Sequence, residues 1–328
     1  LVRWYCNPSA TAWRTTPAPA EVQAFHQSLP GYRPTPLTPV PALASELGVG
    51  QVLVKDESQR LGLPAFKALG AWWAIHRALQ ERPGPVGLVT ATDGNHGRAV
   101  ARRAAMLGLA SHVFVPDVVD EKAIDAIRAE GATVTVVPDS YDAAVAEAAA
   151  YAVDGRLLIQ DSAWPGYEDV PQHVVDGYST LFREIEVEPD LVVVPMGVGS
   201  IAQAAVTHYR SGSSTAAVLG VEPASASCVT TSLLAGELVT VPTGKTVMAG
   251  LNCGTASTLA WPVLRAGLDY AVTVDDDAAL QAASDLRGAG ISSGPSGAAT
   301  LAGLRAARDN LDLGPDSTVV LISTEAAH

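Results

Sequence analysis

Gln51-Val52-Leu53-Val54, then Lys55-Asp56-Glu57-Ser58, then Phe66-Lys67-Ala68-Leu69-Gly70: a short apolar run, a polar stretch, and a lone lysine among apolar residues at what reads as a helix start. This stretch begins the alternation that decides the fold. β-Branched runs at 87–90, 111–115, 133–137, 157–160, 191–195, 217–221 and 318–322 are interleaved with alanine-rich runs at 97–107, 121–130, 141–152, 200–209, 278–287 and 297–309. Continuous apolar strands between helices predict an α/β fold of mainly parallel sheet with helices on both faces. Upstream, the first 50 residues are rich in proline and read as irregular. A helix is expected near 20–28, and an extended run at 32–37, because residues before proline avoid the helical region.

The chain has 328 residues, 48% hydrophobic and 17% charged, enough for two lobes or one large domain around a sizeable core. Its net charge of −13 argues against a nucleic-acid or anionic-membrane partner, while leaving room for a local anion pocket. Three cysteines are too few for a disulfide scaffold and point to a reducing compartment, the cytoplasm. No apolar window of about 18 residues predicts a transmembrane helix, and the first residues lack a basic-then-apolar signal pattern. His96, His173 and His208 show no metal-ligand spacing, so no metal is expected.

A lysine held against apolar surface loses hydration of its ammonium form, and its neutral amine then condenses with an aldehyde to a Schiff base. Lys67 is therefore a candidate anchor for pyridoxal phosphate; a solvated lysine at a helix start is the plain alternative. Ligands of such folds gather at the carboxyl ends of strands. Three further segments lie there. In Ala91-Thr92-Asp93-Gly94-Asn95-His96-Gly97 the glycines allow a tight loop, and Asp93 and Asn95 supply an acid and an amide; an ordinary capped strand–helix turn fits equally. Gly197-Val198-Gly199-Ser200 suits a phosphate, with backbone N–H groups, a helix start and a hydroxyl. The same loop, with Ala202, also fits the dinucleotide fingerprint. Glu222 at the next strand end then serves as a ribose-binding acid, the signature of a nicotinamide-dependent dehydrogenase; a glycine turn that binds nothing is the third reading. Asp161 offers a second strand-end carboxylate for acid–base work, or a helix cap. Cys228 and Cys253 read as core thiols or an entrance-loop pair.

The order of these segments resembles one family. Ser58-Gln59-Arg60-Leu61-Gly62-Leu63-Pro64-Ala65-Phe66-Lys67 is similar to the cofactor-lysine block of diaminopropionate ammonia-lyases, members of the pyridoxal-phosphate fold type II group. Thr90 to Arg98 resembles their second block, and Gln160-Asp161-Ser162-Ala163-Trp164 with Gly166-Tyr167-Glu168 a third. Gly197 to Ser200, Val221-Glu222-Pro223 with Cys228, Gly250-Leu251-Asn252-Cys253-Gly254 and Leu321-Ile322-Ser323-Thr324-Glu325 complete the set. The resemblance spans roughly Tyr32 to Glu325.

It implies a two-lobed enzyme, with a large cofactor-binding domain of residues 1–77 and 166–328, a small mobile domain of 78–165, and the site in the cleft between them. Lys67, beside Phe66, would hold pyridoxal 5'-phosphate covalently. Asn95 would bond its phenolic oxygen, Gly197, Val198, Gly199 and Ser200 its phosphate, and Ser323 or Thr324 would face the pyridine nitrogen. In the family the lysine removes the Cα proton of the L-substrate, the acid matching Asp93 serves the D-isomer, and the acid matching Asp161 resembles an active-site residue. The implied reaction is elimination of ammonia from 2,3-diaminopropionate by a homodimer, with 2-aminoacrylate and then pyruvate as products. The cysteine positions resemble a pair that can form a disulfide near the site entrance. Two departures stand out: Ser292 in Ile291-Ser292-Ser293-Gly294 replaces a family glutamate, and the tail Glu325-Ala326-Ala327-His328 replaces a glycine followed by acids. These open a related β-elimination or β-replacement on another amino acid, or a non-catalytic relative that binds cofactor without turnover.

Overall fold

In the computed structural model, residues 2–82, 84, 86–92, 94–138 and 141–327 are described. The strands are β1 (Trp4–Cys6), β2 (Leu37–Pro39), β3 (Gln51–Asp56), β4 (Gly87–Ala91), β5 (Ala110–Pro116), β6 (Thr133–Val137), β7 (Arg156–Leu158), β8 (Leu191–Pro195), β9 (Ala217–Pro223), β10 (Tyr270–Val274) and β11 (Thr318–Ser323). The chain divides into two compact units, one of Leu1–Phe66 with Tyr178–His328 and the other of Lys67–Gly177.

The first unit is built on a sheet ordered β1-β10-β9-β8-β11-β3-β2. Only its edge pairs, β1 with β10 and β2 with β3, are antiparallel. The central strands are apolar because helices cover them. Val52 and Val54 of β3, Val193 of β8, Val221 of β9 and Leu321 of β11 share one buried cluster with Ala298, Leu301 and Leu304 of the helix Pro295–Ala307. β8 and β11 lie side by side in parallel, Val193 level with Leu321. Their carboxyl ends, where the Gly197 loop and Ser323 follow, are therefore on the same side of one sheet.

The second unit carries the parallel sheet β6-β5-β4-β7. Alternating residues of a strand face opposite sides, and β5 shows it. Phe114 packs with Val89, Ala144 and Ala148, under the helix Tyr141–Tyr151. Val113 and Val115 pack with Ala101, Ile124 and Ile127, from the helices Asn95–Met106 and Glu121–Ala129. Trp72 and Trp73 are buried core residues of the helix Lys67–Glu81, and the Trp72 indole donates to the Ala99 carbonyl at 2.9 Å.

The alternation read from sequence is present, with corrections. The run at 157–160 is strand only through Leu158, because Gln160 leaves the ladder to make side-chain bonds across to β4. The N-terminal stretch is not wholly irregular: Trp4–Cys6 pairs with β10, and Pro41, at the first helical position, opens the helix Pro41–Leu47.

Candidate active site

Lys67 is the first residue of the helix Lys67–Glu81. Its Nζ donates to Asp161 Oδ2 at 2.7 Å, and the side chains are 24% and 12% exposed. A largely buried carboxylate therefore faces the Lys67 side chain, whose chain neighbours are apolar. Burial drives the Asp161 carboxyl upward, but the Lys67 ammonium beside it outweighs that and holds it at about 2. Asp161 is an anion at neutral pH.

The residue before Asp161, Gln160, is held by a bond set whose partners form no pattern in the sequence. Gln160 Oε1 accepts from the Ala91 N–H at 3.0 Å and the Thr90 hydroxyl at 3.1 Å, and its Nε2 donates to Tyr141 Oη at 2.7 Å. Tyr167 Oη accepts the Gln160 N–H at 2.9 Å and donates to the Leu158 carbonyl at 2.8 Å, while its ring stacks on Trp164 at 4.5 Å. The signal was an amide at a strand end, where a long side chain replaces the missing ladder bonds.

Asn95 and His96 open the helix Asn95–Met106, with Gly94 at φ 149° before them. Thr92 organises the turn: its hydroxyl accepts the N–H groups of Gly94 at 3.0 Å and Gly97 at 3.1 Å. Gly97 is required by packing, because a Cβ there would lie 2.3 Å from the Thr92 methyl and 2.9 Å from Val113. His96 is buried against Asp161, Nδ1 to Oδ2 at 3.8 Å. Asp93 lies outside the described residues.

The first unit supplies the other candidates. The loop Gly197-Val198-Gly199 joins β8 to the helix Ser200–Arg210, and Gly199 sits at its N-cap with φ 101°. That left-handed conformation, with Leu264 only 2.8 Å from where a Cβ would be, restricts the position to glycine. The loop is braced by the Ser257 N–H, which donates to the Val198 carbonyl at 2.8 Å. Cys228 and Cys253 lie on its flank: Cys228 Sγ is 3.7 Å from the Gly197 carbonyl, and Cys253 Sγ 3.1 Å from a Cβ built at Gly197. At the end of β11, Ser323 is fully buried and its hydroxyl donates to Ser293 Oγ at 2.7 Å. The Thr324 carbonyl accepts the Phe66 N–H at 3.1 Å. Ser292 is exposed, and its hydroxyl accepts the Ala327 N–H at 3.2 Å.

The segment that delivers Phe66 is anchored by a buried ion network that also went unread in sequence. Arg60 binds Glu57 at 2.6 Å and Glu184 at 2.6 Å, and Glu184 binds Lys55 at 2.6 Å. Two cations and two anions cancel there, which is what allows four charged groups to be removed from water.

Glu222 overturns the dehydrogenase reading. Its carboxylate is fully buried and accepts the Val229 N–H at 2.9 Å and the Thr230 N–H at 2.6 Å, so it caps the helix Cys228–Ala235 and is not presented to a ribose. Burial, against those bonds, pushes its carboxyl up to about 7. Within its own unit, the Lys67 amine at a helix end is chemically suited to an aldehyde; the glycine-only loop at the N-terminus of the helix Ser200–Arg210 is by itself suited to a phosphate.

Residues 28–325 match the family model described as pyridoxal-phosphate dependent enzyme. The chain is 35% identical to the diaminopropionate ammonia-lyase of Escherichia coli K12, covering 92% of this chain and 86% of that one. It is 33% identical to a biosynthetic L-threonine dehydratase of Mycobacterium leprae, covering 89% and 68%. Its structure superposes with a TM-score of 0.91 on the E. coli diaminopropionate ammonia lyase solved in complex with an aminoacrylate-PLP azomethine reaction intermediate. That match has 32% identity and covers 99% of this chain and 94% of that one. On sequence, on fold and on the residues just described, the chain belongs to the pyridoxal-phosphate dependent enzymes, with the type II fold.

Proposed function

We propose that the chain is a carbon–nitrogen lyase that eliminates ammonia from 2,3-diaminopropionate and yields pyruvate. The observation that carries this reading is the Lys67 amine at 2.7 Å from an ionised Asp161, a base and an anion suited to a substrate with two ammonium groups. Pyridoxal phosphate, when bound, supplies an electron sink conjugated to the substrate α-carbon. Lys67 would hold it covalently, Phe66 and Asn95 would bind its ring, and Gly197, Val198, Gly199 and Ser200 its phosphate. Ser323 or Thr324 would place a hydroxyl at the pyridine nitrogen. Such a hydroxyl does not protonate the ring as a carboxylic acid would, which favours elimination over transamination.

With the cofactor in place, Lys67 would be the base that takes the Cα proton of the L-isomer. The electron pair left behind expels the protonated β-amino group as ammonia. The 2-aminoacrylate released tautomerises and hydrolyses, losing the second nitrogen to give pyruvate. Asp161 orients the lysine and attracts the substrate's second ammonium, and Asp93 serves the D-isomer. A homodimer in the cytoplasm completes the reading; no helix among the described residues is long and apolar enough to cross a membrane.

Ser292 favours one other reading, a β-elimination or β-replacement on a different amino acid, since a hydroxyl bonded to Ala327 stands where the family carries an acid. Product analysis on L- and D-2,3-diaminopropionate, serine and a mixture containing an added thiol nucleophile separates the two. Pyruvate and two ammonia per diaminopropionate support the lyase, and a β-substituted amino acid as main product sinks it.

A further inference from the structure

His96 has no place in the steps above, yet it is buried with one polar atom unsatisfied. Its Nε2 lies 2.8 Å from the Ile159 carbonyl, which only accepts, so Nε2 carries the hydrogen and neutral Nδ1 carries a lone pair. Among the described residues Nδ1 has no hydrogen-bond partner, and it lies 3.8 Å from Asp161 Oδ2, the oxygen that holds Lys67 at 2.7 Å. A buried polar atom without a partner carries a cost that calls for a second state in which it is satisfied.

Lys67 provides that state. An ammonium has no lone pair, so the lysine must lose a proton before it attacks the cofactor's aldehyde. Once it does, the carboxylate of Asp161 remains buried without that ammonium, an expensive arrangement. We propose that His96 is a positioning residue that takes up the proton Lys67 releases, so that the lysine–carboxylate pair is exchanged for an imidazolium–carboxylate pair. The proton leaves Nζ, passes over Asp161 Oδ2 and ends on Nδ1, which then donates to that oxygen. One ammonium becomes an amine, one imidazole becomes imidazolium, and the summed charge is unchanged. Asp161 thereby stays ionised and in place while Lys67 is covalently engaged. The inference rests on the reading of Lys67 as the cofactor lysine.

Among the described residues, the charged groups facing the imidazole are the Asp161 carboxylate, from the segment after β7, and the Lys67 ammonium, from the helix Lys67–Glu81; the Ile159 backbone adds a carbonyl. Burial lowers the imidazole's affinity for a proton, Asp161 raises it and Lys67 lowers it. Discharging Lys67 thus removes one of the two lowering causes and leaves both raising ones, the Asp161 carboxylate and the Ile159 backbone bond.

The test follows the His96 imidazole by nitrogen NMR in histidine-labelled protein, its signal identified by its loss in His96→Gln. In cofactor-free Lys67→Met the His96 titration midpoint should rise by about one pH unit or more over the parent chain. An equal or lower midpoint overturns the proposal. The parent chain with and without pyridoxal phosphate gives a second measurement should Lys67→Met fail to fold. His96 should turn from the Nε2–H tautomer to imidazolium on cofactor binding, and a neutral ring in both states overturns the proposal. The Lys67→Met titration needs no cofactor, so it decides the role of His96 even if the lyase reading fails.

Discussion

Replacing Asp161 by asparagine tests the ion pair on which the site is built. The Asp161 carboxyl is held at about 2 against an ordinary 3.8. A difference of a little under two pH units, at about 1.4 kcal/mol per unit, gives the ionised carboxylate in its surroundings, the Lys67 ammonium chief among them, on the order of 2 kcal/mol of stability in cofactor-free protein. A group with a depressed folded value contributes fully above its unfolded value, and the contribution disappears as pH falls through the folded one. The gap between parent and Asp161→Asn should therefore be level from pH 8 to pH 5 and narrow only below about pH 4. Urea unfolding of the cofactor-free proteins, followed by tryptophan fluorescence at several pH values, measures this. Equal midpoints at pH 7, or a gap that closes between pH 7 and pH 5, would refute the reasoning, since either shows that the depressed carboxyl is not what the pair contributes.

Gly199→Ala forces a side chain into a left-handed conformation at φ 101° and toward Leu264. Strain on the order of 1–3 kcal/mol at the loop proposed to bind phosphate should weaken pyridoxal-phosphate binding by roughly tenfold or more, read by equilibrium dialysis, while unchanged affinity removes the loop from the cofactor site. Arg60→Met leaves the buried carboxylates of Glu57 and Glu184 short of a cation, and should cost about 3–5 kcal/mol in denaturant unfolding. A loss below about 1 kcal/mol would mean that water already reaches the network.

The sheet of each unit was legible where strands are buried on both faces. Leu191–Pro195 and Gly87–Ala91 are wholly buried; the first appears in sequence as an unbroken apolar run, the second as an apolar run interrupted only by the β-branched Thr90. Edge elements were not legible. Trp4–Cys6 is three residues long, too short to show a period, and owes its strand conformation to β10. Tyr270–Val274 does carry the β-branched signature and was missed for want of a flanking alanine-rich helix on both sides. At the site, Lys67 and Asp161 could be nominated singly from their places at helix start and strand end, but not as partners, because 94 residues separate them in the chain. Thr92, Gln160 and Tyr167 were passed over because small or amide side chains that satisfy backbone groups leave no pattern in one sequence. Glu222 shows the opposite failure: its spacing after the Gly197 loop matched a ribose-binding acid, yet the same spacing places it under a helix whose first N–H groups it satisfies.

The assignment as a whole turns on Lys67. The most direct measurement is the absorbance of the purified protein with pyridoxal phosphate, before and after L- and D-2,3-diaminopropionate, with pyruvate assayed in the same cuvette and Lys67→Ala run in parallel. A visible band in the parent chain, absent from Lys67→Ala, with pyruvate formed on adding diaminopropionate, is the result the lyase assignment requires. A band that Lys67→Ala retains, or one that shifts with substrate while no pyruvate forms, would contradict it.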